Sequence, residues 1–186
     1  MSKVLVPLAP GFEEIEAVSI IDVLRRADIE VVVASLDSNK LVEGANGIKV
    51  EADTSIPNVD IDELEMVVLP GGWGGTHALA DDENIQTILK EMDRKGKQIG
   101  AICAAPFALD KAGVLKGEYT CYPSVEEQID NEAYQGDKAM VIESDNVMTS
   151  RGPATALCFA LKIVKKLKGD EMYEMLKGGL LASYCE

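Results

Sequence analysis

Short apolar runs and segments of helical periodicity alternate along this chain. The apolar runs are rich in Val, Ile and Leu without regular polar alternation, and they predict strands at residues 3–9, 30–36, 65–70 and 98–102. The periodic segments, with apolar positions three or four residues apart, predict helices at residues 13–27, 84–96, 105–115, 153–169 and 170–177. Two hairpins are also expected, one at residues 138–150 and a smaller one at residues 41–51.

This alternation predicts one α/β domain over residues 1–186. Strands that are apolar on both sides belong to a mostly parallel sheet with helices on both faces, so we expect a three-layer α/β/α sandwich. A content of 47% hydrophobic and 27% charged residues is typical of such a globular domain. Sites in these folds lie beyond the carboxyl ends of the strands. Three loops are expected there: "APGFEEIE", "PGGWGGTH" and "CAAP".

The loop "CAAP" contains Cys103, between a predicted strand that ends at Ile102 and a helix that opens at Pro106. At such a bend the sulfur faces the N-terminal ends of backbone dipoles, which favour the thiolate and lower the thiol pKa. The alanines around the cysteine permit a tight turn of the nucleophile-elbow type. Position alone leaves a second interpretation open, in which Cys103 is a small buried core residue.

Three glutamates crowd the start of the first predicted helix. Glu13 and Glu14 are explained by the positive end of the helix dipole, at about 0.3–1 kcal/mol each. Glu16 heads an apolar line through Ile20 and Val23, so it is the glutamate expected to point inward. A carboxyl that faces the interior has a raised pKa, a partner, or both.

The glycine-rich loop "PGGWGG" allows backbone N–H groups to approach a developing oxyanion, and a flexible turn is the competing interpretation. Its spacing does not fit the G-x-G-x-x-G fingerprint of dinucleotide sites, and the P-loop lysine is missing, so no nucleotide cofactor is expected. The four cysteines and the single histidine lack paired ligand spacing, so no metal site is expected either.

The cysteines are expected to be free thiols, as in a reducing cytosol. Cys158 lies within a predicted helix and is expected in the core. Cys121 lies in "YTCYP", read as a strand, and belongs either to the core or to the rim of the site. Cys185 is expected to be an exposed thiol in the terminal tail.

The formal net charge of −14 repels phosphate backbones and argues against a nucleic-acid partner. No apolar run approaches the roughly 18 residues that span a bilayer, so no membrane partner is expected. The first residues lack the apolar region and cleavage site of a signal peptide. We therefore expect a cytoplasmic protein.

Taken together, four motifs resemble the ThiJ/PfpI superfamily, specifically its DJ-one branch. They are "GFEEIEAV" with "IDVLRRA", "VVLPGGWGG", "AICAAP" and "TSRGPATALCFALKIVKKL", and they stand in the family's order over about residues 3–180. The resemblance implies a flavodoxin-like sandwich with a nucleophile-elbow cysteine, a homodimer, and no cofactor.

The resemblance also implies roles for individual residues. Cys103 corresponds to the family's reactive cysteine, and Glu16 corresponds to the glutamate that partners it. The family's oxyanion-type donors fall on the backbone of Gly72 and Ala104. Arg151, in the T-S-R-G-P stretch, is expected to line the site.

The chain departs from its relatives at several positions around the site. Tyr122 stands where a eukaryotic relative has a histidine, so a phenol replaces a titrating imidazole. Ala104 follows Cys103 where peptidases of the superfamily carry a histidine, so peptidase activity is not expected. His77 is predicted at a loop or helix start without an assigned role, and Trp73 either walls the pocket or packs in the dimer.

Two functions fit these residues. In the first, the protein is an enzyme for reactive dicarbonyls such as methylglyoxal, or for their glycated adducts: the Cys103 thiolate attacks the aldehyde and Glu16 shuttles a proton. In the second, the protein is an oxidative-stress sensor or redox chaperone, in which Cys103 is oxidised to sulfinate beside Glu16. A binding scaffold with an incidental thiol is the third interpretation.

Overall fold

A computed structural model describes residues 2–185 of the chain. Its strands are β1 (Lys3–Leu8), β2 (Glu30–Ser35), β3 (Leu41–Glu43), β4 (Lys49–Glu51), β5 (Thr54–Ser55), β6 (Met66–Leu69), β7 (Gln98–Ile102), β8 (Val141–Ser144) and β9 (Val147–Ser150). Its helices are α1 (Glu14–Arg26), α2 (Trp73–Asp81), α3 (Glu83–Arg94), α4 (Pro106–Lys111), α5 (Ala156–Lys168) and α6 (Asp170–Gly179).

Seven strands form the main sheet, in the order β5-β2-β1-β6-β7-β9-β8. All pairs are parallel except β8 with β9. The central strands are buried along nearly their whole length, which explains why their sequences are apolar on both sides. The expected mostly parallel α/β fold is therefore confirmed, as is the smaller hairpin, which β3 and β4 form apart from the main sheet.

The helices cover the sheet in two groups. Helix α5 packs against α1 and α6, whereas α2 packs against α3 and α4. Right-handed crossovers place these groups on opposite faces, because the strand order runs in one direction from β1 to β2 and in the other from β6 through β7 to β9. The order reverses between β1 and β6, and that reversal is where ligands bind in open α/β sheets.

Helix α2 was not expected, because four glycines in "GGWGG" read as a loop. The structure places Gly72 at φ +87° as its N-cap and starts the helix at Trp73. The glycines allow close packing: a Cβ at Gly75 would lie 2.9 Å from the Cα of Phe12. Here glycine permits α2 to pack against the loop after β1, and the stabilisation from this packing outweighs the low helix propensity of glycine.

The expectation of four free thiols is wrong for two of the cysteines. Cys158 on α5 and Cys185 in the tail form a disulfide, and both are buried. Cys185 is thus neither exposed nor free. The residues are 27 positions apart, and only the packing of α6 on α5 brings them together. Cys103 and Cys121 are free and buried.

Within residues 2–185, every helix is too short or too polar to cross a membrane. The same part of the chain has no cluster of three or more histidine, cysteine or acidic side chains placed to hold a metal ion.

Candidate active site

Three loops meet at the carboxyl ends of β1, β6 and β7, which are neighbours in the sheet. The N–H of Gly71, after β6, donates a 2.7 Å hydrogen bond to Oε2 of Glu16, in the first turn of α1. A Cβ added to Gly71 would lie 2.6 Å from the Cβ of Cys103, the residue that follows β7. The structure therefore brings Glu16 and Cys103 together across a glycine that has no room for a side chain.

The backbone of Cys103 is held in an unusual conformation. Its φ is +63°, in the left-handed region that costs a residue with a side chain about 1–2 kcal/mol. Its N–H donates to the carbonyl of Ser150 at 3.0 Å, and its carbonyl accepts from the N–H of Tyr122 at 2.9 Å. These two bonds hold the bend that directs the sulfur toward Glu16, as the elbow prediction requires.

Cys103 is 8% exposed, and the backbone amides of Gly72 and Ala104 face its sulfur and lower the thiol pKa. Burial and the neighbouring Glu16 carboxylate outweigh them and raise that pKa to about 12. The predicted lowering of the pKa is therefore wrong while Glu16 is charged. The sequence argument included the dipoles and omitted the cost of burying a second negative charge.

Glu16 is fully buried, and this burial raises its pKa from 4.5 to about 7 against the opposing hydrogen bonds with Gly71 and Cys103. The charge of Glu13 raises it further. The second carboxyl oxygen of Glu16, Oε1, is buried and has no hydrogen-bond partner among the described residues. When Glu16 takes up a proton, the carboxylate that repels a thiolate disappears and the two amide donors stay. Glu16 and Cys103 therefore titrate as a pair.

The other two glutamates of the cluster differ from each other. Glu13 caps α1, accepting a 2.8 Å hydrogen bond from the N–H of Glu16. Glu14 is buried, and its interpretation as a simple partner of the helix dipole is wrong. Burial opposes its ionisation, but hydrogen bonds from Asn46 and Ile48 prevail and lower its pKa. Glu14 thus fastens the β3–β4 hairpin to α1, a role that no local motif indicated.

Three aromatic side chains at the starts of α2 and α4 form a cluster. Trp73 is 40% exposed and stacks on His77, with ring centroids 5.0 Å apart and planes 17° apart. Phe107 meets both rings edge-on, at 6.2 Å from Trp73 and 5.4 Å from His77. The sequence left Trp73 either as a wall of the pocket or as a dimer contact, and it gave no sign that Phe107 belongs beside it.

Tyr122 and Arg151 border a shallow pocket with Pro123 and Pro153. Tyr122 is half exposed and lies against Gly152, where a Cβ would come within 3.2 Å of its ring. The segment that carries Tyr122, read as a strand, is irregular because its pairing is limited to one bridge at Tyr119. Cys121 lies behind it, fully buried.

A scan of protein families matches residues 2–166 to the DJ-1/PfpI family. Protein dj-1beta of Drosophila melanogaster is 44% identical over 187 residues, 99% of this chain and 100% of that protein. The chain belongs to the DJ-1/PfpI family. The crystal structure of Drosophila melanogaster DJ-1beta agrees with the fold at a TM-score of 0.93, with 43% identity over 97% of this chain and 98% of the other.

A second relative of this family has a name that states an activity. Glutathione-independent glyoxalase DJR-1.2 of Caenorhabditis elegans is 36% identical over 159 residues, covering 86% of this chain and 84% of that protein. The family assignment thus agrees with the resemblance that the four sequence motifs indicated, and a DJ-1-type role in the stress response is supported.

Proposed function

We propose that this protein is a cofactor-free enzyme that converts 2-oxoaldehydes such as methylglyoxal into 2-hydroxy acids. One observation carries the proposal: a fully buried carboxyl with a pKa of about 7 lies beside a cysteine whose sulfur faces two backbone amides. A general acid–base works best when its pKa is near the working pH. The relative named as a glutathione-independent glyoxalase supports the assignment.

The first half of the reaction forms a covalent adduct. The Glu16 carboxylate takes the proton of the Cys103 thiol, and the thiolate adds to the aldehyde carbon. The oxygen of the adduct gains a negative charge, which the amides of Gly72 and Ala104 stabilise as they do the sulfur. Glu16 then returns the proton to that oxygen, which gives a neutral hemithioacetal.

The second half moves a hydrogen between carbons. Glu16, ionised again, takes the proton from the carbon that is bonded to sulfur, which gives an enediol. It then delivers a proton to the neighbouring carbon, which was the ketone carbon of the substrate. The product is a thioester of the 2-hydroxy acid on Cys103. Water hydrolyses this thioester, releasing the acid and restoring the thiol, so each turnover consumes one dicarbonyl and one water. Early glycated adducts that present the same carbonyl group are alternative substrates.

The proposal is tested by following lactate formation from methylglyoxal, since dicarbonyl disappearance also reports simple trapping by amines and thiols. Cys103→Ser is expected to abolish lactate formation, and Glu16→Gln to reduce it at least a hundredfold. Cys121→Ser, which removes the other free and fully buried thiol, is the matched control and retains turnover. Unchanged turnover in Cys103→Ser would exclude the proposed nucleophile.

A second function, peroxide sensing, is favoured by the unpartnered Oε1 of Glu16, which, when Glu16 is protonated, can donate a hydrogen bond to an oxygen added to the sulfur. A peroxide would oxidise the thiolate to sulfenate and a second equivalent would give sulfinate. A relative from Toxoplasma gondii has been solved in an oxidised form, at 39% identity and a TM-score of 0.92 over 97% of this chain and 98% of the other. Intact mass after peroxide treatment should show two added oxygens at Cys103, and Glu16→Gln should lose the preference for sulfinate.

We also propose that the protein is a homodimer. Ile15, Val18 and Ile48 are large apolar side chains that are half exposed or more. Glu14 ties the loop of Ile48 to the helix that carries the other two, so the three residues belong to one unit of the surface. Light scattering should give twice the chain mass, and Val18→Asp should shift it to the monomer.

A further inference from the structure

The rings of Trp73, His77 and Phe107 form a continuous surface that we call the aromatic ledge. It contains the only tryptophan and the only histidine of the chain. Trp73 and His77 are exposed, and Phe107 is partly buried. A buried aromatic cluster would be explained by the core, but this one presents its rings to solvent.

The ledge stands at the starts of α2 and α4, next along the chain to the two residues whose amides face the reacting sulfur. Trp73 follows Gly72, and Phe107 lies in the first turn of α4, where its N–H donates to the carbonyl of Ala104 at 3.1 Å. Gly72 and Ala104 are the two residues whose amides face the sulfur. The edge contact between Trp73 and Phe107 therefore bridges the starts of the two helices that flank Cys103.

From this placement we expect that a carbonyl carbon bonded to Cys103, with its oxygen toward these amides, holds its substituent near the ledge. A methyl group is too small to cover the rings, whereas a phenyl ring can meet them face-on or edge-on. Such aromatic contacts contribute about two- to tenfold in affinity each.

We propose that the aromatic ledge is a specificity subsite that binds an aryl or similarly planar substituent, so that arylglyoxals are preferred over methylglyoxal. The inference rests on the proposed function for its substrate class. The contact that it describes, a ring beside Cys103, is measurable without turnover.

The first test compares phenylglyoxal with methylglyoxal, following mandelate and lactate formation. Trp73→Leu should lower kcat/KM about five- to tenfold more for phenylglyoxal than for methylglyoxal, mainly through KM. Trp73→Phe should restore most of the difference. Tyr184→Leu, which removes another half-exposed aromatic side chain in the terminal tail, is the matched control and should leave both values unchanged.

The second test needs no catalysis. Cys103 is alkylated with iodoacetamide and with N-phenyl iodoacetamide, and the modified peptide is quantified by mass spectrometry. The rate ratio of phenyl to parent reagent should exceed that of a free cysteine peptide about five- to tenfold and fall to the peptide value in Trp73→Leu. Thermal unfolding of each variant shows that it is folded.

The outcomes separate the two proposals. If neither dicarbonyl is converted but the alkylation ratio is high and depends on Trp73, the proposed function fails and the subsite stands. If Trp73→Leu slows both dicarbonyls equally, or leaves the alkylation ratio unchanged, the subsite is refuted, whatever the turnover.

Discussion

Glu16 should make the protein less stable as the pH rises, and Glu16→Gln should remove that effect. Its pKa rises from 4.5 in the unfolded chain to about 7 in the fold, a difference of about 2.5 units. At 1.36 kcal/mol per unit, ionising this buried carboxyl lowers the free energy of unfolding by about 3 kcal/mol. A raised pKa gives its full stabilisation below pH 4.5, and that contribution is lost as the pH rises through 7.

Glutamine has nearly the same shape, accepts the same hydrogen bond from Gly71 and cannot ionise. Thermal unfolding of both proteins between pH 5 and 8.5 measures the effect. The stability of Glu16→Gln relative to the parent should increase by about 2.5 kcal/mol across this range, or about 5–10 °C in Tm, because Glu16 of the unfolded chain is already mostly ionised at pH 5. A relative stability that stays constant with pH would show that Glu16 is already ionised at pH 5 and would refute the reasoning.

Glu14→Gln is the matched control, because Glu14 is also buried on α1 but has a lowered pKa. A lowered pKa stabilises above the unfolded value of 4.5, and the contribution disappears as the pH falls through the folded pKa. Glu14→Gln should therefore destabilise the protein at neutral pH and lose this effect in acid. At neutral pH the unfolding free energy should therefore rise in Glu16→Gln and fall in Glu14→Gln.

Three further predictions concern packing, the disulfide and the hairpin. Gly71→Ala should lower the unfolding free energy measured in urea by about 1–3 kcal/mol and slow lactate formation, because its Cβ would lie 2.7 Å from Oε2 of Glu16. The control is Gly178→Ala, where a Cβ meets nothing within 4 Å and the unfolding free energy should be nearly unchanged. Cys185→Ser should lower the unfolding free energy by up to about 3.5 kcal/mol, from the 27-residue separation, and dithiothreitol should destabilise the parent but not this variant. Asn46→Ala should speed amide exchange in the β3–β4 hairpin, since Glu14 accepts from both its N–H and its side chain; unchanged exchange would show that this clamp is not needed.

The fold was predictable because many separate segments of the sequence indicate it. Each buried strand carries an apolar run, and an error of one or two residues at an end changes neither the layers nor the order. Helix α2 was missed because propensity describes a segment in isolation, whereas Gly75 is needed for contact with Phe12. The disulfide was missed for a related reason, since nothing near Cys158 or Cys185 indicates that they meet.

Within the site, helical periodicity predicted an inward Glu16 and the family pattern added its partner, but the same periodicity missed that Glu14 is also buried. What the sequence could not supply was the balance of opposing effects on each ionisable group. Glu14 and Glu16 are two residues apart on one helix, both buried, yet their pKa values move in opposite directions. Asn46 and Ile48 decide this difference, and they lie more than thirty positions away.

The pH dependence of Cys103 alkylation tests the shared proton most directly. If Glu16 and Cys103 hold one proton between them above pH 7, the rate with iodoacetamide should rise through an apparent pKa of about 7 and then level off, and the step should vanish in Glu16→Gln. A rate that climbs tenfold per pH unit from 6 to 9, with parent and variant superimposed, would contradict the coupling on which the proposed chemistry depends.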